Sequence, residues 1–170
     1  MKVSKLDAAR RQICTAIQLF MNGGDDIATH TLTAAAFRVT RDLCDAAELK
    51  DYSATKMIED RVKPEYKDRI WKKLHESANF FKHANADPDE MHEFNPEQTM
   101  FLIFLTILQY EGLTGEKIAQ MIVFRLWFMV EFPQVFNLPQ ESAALVQRLD
   151  HSNKQKFYHD TLMVVHSLGL

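Results

Sequence analysis

Apolar residues recur every three or four positions along most of this chain, a spacing that gathers them on one face of a helix. Leu6, Ala9, Ile13, Ala16, Ile17 and Phe20 predict an amphipathic helix over residues 5–21. Ser4 with Asp7 has the pattern of an N-terminal cap, and Gly23-Gly24 ends the segment. Asp25 or Asp26 then caps a second helix over about 27–48, with Ile27, Leu32, Ala35, Ala36, Val39 and Leu43 on its apolar side. Ala34, Ala35 and Ala36 permit close helix approach, and the short Gly-Gly turn makes the first two helices antiparallel neighbours. The pattern weakens over 49–64, where Tyr52, Met57, Ile58 and Val62 fit a short helix or an ordered loop that Pro64 ends or restarts. A third helix is predicted from Glu65 to about Ala84, with Tyr66, Ile70, Leu74, Ala78 and Phe81 turned inward.

Residues 85–94 form an acidic loop, and Asn95-Pro96-Glu97-Gln98 then supplies a cap residue, a proline at the helix start and an acid. A fourth helix follows over about 97–111, Gly112 and Gly115 bracket a turn, and a fifth covers about 115–131, stopping before Pro133. Asn137-Leu138-Pro139 starts another helix, and Ser152 or Asn153 recaps the chain into a final one ending near Ser167. The stretches MFLIFLTIL (100–108) and MIVFRLWFMV (121–130) are the most apolar, yet each is about half the length that spans a bilayer. With polar QYEGLTGEKIAQ between them they fit two buried helices joined by a turn, and no membrane contact is expected. No strand-type alternation or internal repeat interrupts the pattern. The prediction is an all-α fold: one domain over 1–170, an antiparallel bundle of six or seven helices. Phe101, Phe104, Phe124, Trp127 and Phe128 are more than one small core readily takes from two helices, so a homodimer is expected.

Composition narrows the function classes. A net charge of −3, from 20 basic and 23 acidic residues, argues against a broad electrostatic nucleic-acid binder while leaving room for a local basic patch. Cys14 and Cys44 lie on different predicted helices with no CxxC, which reads as buried free thiols in a reducing cytoplasm rather than as a disulfide. The N-terminal MKVSKLDAARRQ has no apolar signal core, in keeping with a cytoplasmic protein. Nucleophile elbows, phosphate-binding glycine loops, dinucleotide fingerprints and zinc spacings are all missing, so neither cofactor nor metal is expected.

The residues richest in chemistry are Ser77-Ala78-Asn79-Phe80-Phe81-Lys82-His83-Ala84-Asn85-Ala86-Asp87. Asn79 and His83 stand at i and i+4 and share a helix face, with Phe80, Phe81 and Ala84 on the docking side. His83 could move a proton, Asn79 orient a ligand and Lys82 hold a phosphate; equally, Asn79 and His83 could satisfy helix-end carbonyls while Lys82 is solvated. His30, one turn into the second helix near its N-terminus, either faces the same cleft as His83 and holds an anion, or is a partly buried structural histidine. Asp87, Asp89, Glu90, Glu93 and Glu97 surround His92, but their spacing matches no EF-hand loop and no HExxH. Solvated loop acids explain them. Arg69 and His75 form a further Arg/His pair, although a straight helix would point them about 120° apart. Arg125, inside the fifth helix, needs a partner: an acid of the sixth helix or one across a dimer interface.

Two segments carry a family resemblance. DAARRQICTAIQLFMNGGDDIATHTLTAAAFRVTRDL and SANFFKHANADPD resemble a group of bacterial helical proteins with a GGDP…HTL…AA hairpin and an NFFKHAD…DPD segment, over roughly residues 6–130. That group resembles the HEPN superfamily. The resemblance implies an up-and-down helical bundle, often dimeric, that acts as a metal-independent RNase, binds nucleotides or is catalytically silent. Active members carry an Arg, usually a polar residue next, and a His about four to six positions on. Here Glu76 and Ser77 stand upstream of His83 where that Arg is expected, and Ile70 follows Arg69. The residues carried over are therefore His83 first, Asn79 and Lys82 second, and Arg69 with His75 as a fallback. Two functions follow: a HEPN-like module binding a nucleotide or RNA, with RNase activity in question, or a non-catalytic helical interaction and dimerisation protein.

Overall fold

Three helices begin on side-chain caps at the positions the sequence marks for them. Ser4 Oγ accepts the Asp7 N–H at 3.0 Å, the Asp25 carboxylate accepts the Ala28 N–H at 2.7 Å, and Asn153 Oδ1 accepts the Lys156 N–H at 2.9 Å. Each satisfies a backbone donor that the first helical turn leaves without a partner. The computed structural model describes residues 1–61, 63–83, 88–136, 140–141, 144 and 148–169. These hold seven α-helices and one 3-10 turn, with no strand among the described residues. The helices are α1 (Lys5–Met21), α2 (Asp26–Ala46), α3 (Ala54–Arg61), α4 (Pro64–Phe80), α5 (Glu97–Thr114), α6 (Ala119–Glu131) and α7 (Lys154–Ser167), with the 3-10 turn at Pro133–Val135. The helix start expected at Asn137-Leu138-Pro139 lies outside the described residues.

The fold is all-α. Helices α1, α2, α5 and α6 pack on one another, α7 closes over α6 and touches α1, and α3 and α4 lie against α2. One core joins Ile13 and Ile17 of α1, Ile103 and Ile107 of α5, Phe124 and Phe128 of α6, and Phe157 of α7. Burial of each such side chain contributes roughly 1.5–3 kcal/mol. A smaller cluster, Ala34, Phe37, Ala54, Ala78 and Leu102, ties α3 and α4 to the α2–α5 pair. Among the described residues no helix is long and apolar enough to cross a membrane.

Several sequence expectations change. Gly112 lies inside α5, not at its end, and a Cβ there would stand 2.3 Å from the Tyr52 ring. Close approach of that ring, rather than a turn, accounts for the glycine. The helix stops at Gly115, whose φ of +69° suits glycine. Helix α6 therefore starts at Ala119, four residues later than the pattern indicates. Tyr66, expected inward, is 51% exposed, and Ile70 and Leu74 are only half-buried. The buried residues of α4 are Ser77 and Ala78 alone. Of the five aromatics that motivated a dimer, Phe124, Trp127 and Phe128 are buried within a single chain. Phe104 stacks on Phe128 at 4.5 Å, and Phe101 remains 44% exposed. The surplus that argued for an α5–α6 interface is thus mostly absorbed.

Candidate functional site

Helix α4 ends at Phe80, and the Asn79 carbonyl accepts from the backbone N–H groups of both Lys82 (3.2 Å) and His83 (3.1 Å). That tight turn sends the adjacent rings of Phe80 and Phe81 to different neighbours. Phe81 lies edge-on to His30 of α2 at 5.9 Å, while Phe80 stacks on His92 at 5.0 Å. Phe94 completes the group, 5.1 Å from His30 and 5.2 Å from Phe81. His92 and Phe94 come from the loop before α5, where Met91, Glu93 and Asn95 are exposed and His92 and Phe94 half-buried. That alternation is the period of an extended segment with one face turned to the helices.

Polar contacts lock the junction. His30 Nδ1 is hydrogen-bonded to Thr99 Oγ1 of α5 at 3.0 Å. The buried Ser77 hydroxyl accepts from Gln98 Nε2 at 3.0 Å and is hydrogen-bonded to His92 Nε2 at 2.9 Å. Asn95 Oδ1 accepts the Glu97 N–H at 2.9 Å, two residues on, just ahead of α5. His30 is only 2% exposed and its Nε2 has no partner among the described residues. Burial pushes its pKa down to about 4, and the charges of Lys82 and His92 add to that. The imidazole is therefore neutral at neutral pH and sealed under Phe81 and Phe94.

The sequence candidates separate accordingly. Lys82 stands close enough to act on the charge of His30, and it is exposed. Asn79 and His83 are exposed at the same helix end. His30, expected to share a cleft with His83 and to hold an anion, is buried beneath Phe81 and Phe94 where the neutral imidazole is favoured, whereas His83 is exposed at the end of α4. His92, read from sequence only as a loop histidine among acids, is the imidazole that joins the group, with Phe94. Their alternation with exposed neighbours was the available signal. Thr99 carried none, because its partner lies 69 positions away.

Arg69 and His75 also part. Arg69 is exposed on an apolar groove of about 420 Å³ with Tyr66, Ile70, Lys73 and Leu74. His75 faces α2 instead. Its Nε2 accepts from Arg41 Nη1 at 3.0 Å and its Nδ1–H donates to the Trp71 carbonyl at 2.8 Å. A guanidinium only donates and a carbonyl only accepts, so this histidine is the neutral Nδ1–H form with both nitrogens engaged. Arg41, which also lies over the Trp71 ring at 5.8 Å, is the arginine paired with His75. The partner of Arg125 is Glu111 of α5, whose side chain is 8% exposed and also binds Lys117 at 3.1 Å. Among the described residues no group of three His, Cys, Asp or Glu side chains is placed to hold a metal ion. Cys14 and Cys44 are free thiols, and burial together with Asp45 pushes that of Cys44 up to about 11.

No protein-family model, no curated protein and no solved structure matches this chain.

Proposed function

We propose that the protein is a HEPN-like helical binding module that takes a nucleotide or a short RNA element at the junction of the α4 end and the loop before α5. On this reading it binds without turning the ligand over. The observation that carries it is the placement of an exposed cation, Lys82, beside half-buried rings of Phe80, Phe81, His92 and Phe94. Bases stack on such rings and a lysine pairs with phosphate. Turnover is left out because His75 has both nitrogens engaged, His30 is neutral and sealed, and Arg69 does not face His75. His83 and Asn79, exposed at the same helix end, contact the ligand on this reading rather than act on it.

Fluorescence anisotropy with labelled short RNAs, competed by mononucleotides, tests the reading. Lys82→Ala should weaken binding several-fold and flatten its salt dependence by about one phosphate contact. Phe80→Ala should weaken it by roughly 1–3 kcal/mol, the worth of one stacked base. Absence of binding at low salt, or binding indifferent to both changes, sinks the proposal. RNA incubated with the protein and a chelator should stay intact; cleavage lost in His83→Ala would restore His83 as an acid–base group.

The second reading, a helical interaction protein, is favoured by one observation: the half-exposed Tyr66, Ile70 and Leu74 along α4. An amphipathic stripe that the described residues leave partly uncovered is a docking surface in search of a partner.

A further inference from the structure

We infer that the α4 groove receives residues 89–93, the acidic stretch before α5, from a second copy of this chain, each copy offering both halves around a two-fold axis. The inference rests on the interaction reading and is independent of ligand binding at the α4 end. The groove has an apolar floor at Tyr66, Ile70 and Leu74, one residue per turn, flanked by Arg69 and Lys73. The loop is its chemical counterpart. Met91 is 93% exposed, a large apolar side chain with none of the described residues over it, and Asp89, Glu90 and Glu93 stand exposed around it. None of these five charged residues belongs to an ion pair among the described residues. An apolar tip ringed by carboxylates thus matches an apolar trough flanked by cations.

Position on α4 makes the match self-consistent. The loop is pinned to the C-terminal end of α4 through His92, on Phe80 and Ser77. Ile70 lies ten residues before Phe80, about 15 Å along the axis at 1.5 Å per residue. At 100° per residue Phe80 projects within about 20° of both Arg69 and Lys73 and about 80° from Ile70, so the loop anchor lies on the cationic flank of the groove. His75 points the other way, onto Arg41 of α2. Two α4 helices set antiparallel about an axis near residue 75 place Ile70 of each copy opposite Phe80 of the other. Both loop-to-groove contacts then form together, which is the closure that a two-fold dimer requires.

Sedimentation equilibrium from low to high micromolar concentration decides it, with circular dichroism confirming that each variant keeps its helix content. The wild-type chain should dimerise, more weakly at high salt. Met91→Ser and Ile70→Glu should each weaken the dimer by about tenfold or more, since one strips the tip and the other charges the floor. Lys73→Glu should weaken it too, and Lys73→Glu with Glu90→Lys should recover most of the loss. A wild-type monomer at high micromolar concentration overturns the inference. So does a dimer indifferent to both Met91→Ser and Ile70→Glu, which would assign the groove to an acidic segment of another protein.

Discussion

His30 sets the chemistry of the junction by being unable to charge there. Its pKa is held near 4 in the folded chain, against 6.5 when exposed. Between those values the unfolded chain binds the extra proton and the folded chain does not, so stability is full above about pH 6.5 and falls as pH drops toward 4. The whole effect is at most roughly 3 kcal/mol. Urea midpoints from pH 7.5 down should therefore fall more steeply for wild type than for His30→Gln, which does not titrate but can still bond Thr99. Lys82→Ala, by removing a nearby positive charge, should raise the folded-state pKa of His30, so that the loss ends at a higher pH and is smaller in total; parallel curves for all three chains would refute the account. Gly112 is a second residue whose role is steric. A methyl group there meets the Tyr52 ring at 2.3 Å, and Gly112→Ala should cost about 1–3 kcal/mol. In a Tyr52→Ala background that cost should largely vanish, and a double-mutant cycle measures the coupling. The sequence shows a glycine in both cases of Gly112 and Gly115, and only the neighbours reveal that one makes room and the other ends the helix.

Among the elements, α5 is apolar nearly all round and lies against α1, α2 and α6, which leaves its polar residues few and consequential. Gln109 is fully buried: its Oε1 accepts from Thr40 Oγ1 at 3.1 Å, while its Nε2 has no partner among the described residues. An unmet buried donor costs about 1–3 kcal/mol, whereas without Gln109 the single Thr40 hydroxyl proton still has the Ala36 and Phe37 carbonyls within reach at 3.1 Å. Gln109→Met should hence leave stability within about 1 kcal/mol of wild type or raise it. A drop of several kcal/mol in chemical denaturation would mean that Nε2 serves an essential contact. Helix existence and most boundaries were legible because period and caps are local signals, as Ser4, Asp25 and Asn153 show. What covers an apolar face is not local. Tyr66, Ile70 and Leu74 form as good a stripe as those of α1, yet Tyr66 is exposed and Ile70 and Leu74 are only half-buried, Leu74 against the smaller cluster, while the apparent surplus of Phe124, Trp127 and Phe128 is taken up by Phe20, Phe104, Phe132 and Phe136. The site was legible in the same uneven way: Phe80, Phe81, Lys82 and His30 stand out in sequence, but their assembly with Thr99, His92 and Phe94 depends on contacts between distant segments.

Over the whole molecule stability is unevenly distributed, and both proposed surfaces sit at its weak end. Helices α1, α2, α5 and α6 share a continuous core that α7 closes, whereas α4 buries only Ser77 and Ala78. Opening α4 forfeits little apolar contact, so it should open locally at a free energy well below that of global unfolding. Native-state hydrogen exchange should then find the amides of residues 64–80 less protected than the central amides of α1, α2 and α5 by at least about 2 kcal/mol. The same opening is the route by which the sealed Nε2 of His30 would meet solvent, since Phe81 sits on the end of this helix. Occupancy of either surface should raise the protection of α4 selectively, and the two are separable. A ligand at Lys82 and Phe80 would act at any protein concentration, whereas loop-to-groove pairing would raise protection only as protein concentration increases. If α4 exchanges no faster than the α1–α2 hairpin under dilute, ligand-free conditions, it belongs to the rigid core, and both the mobility of the junction and its coupling to binding fail together.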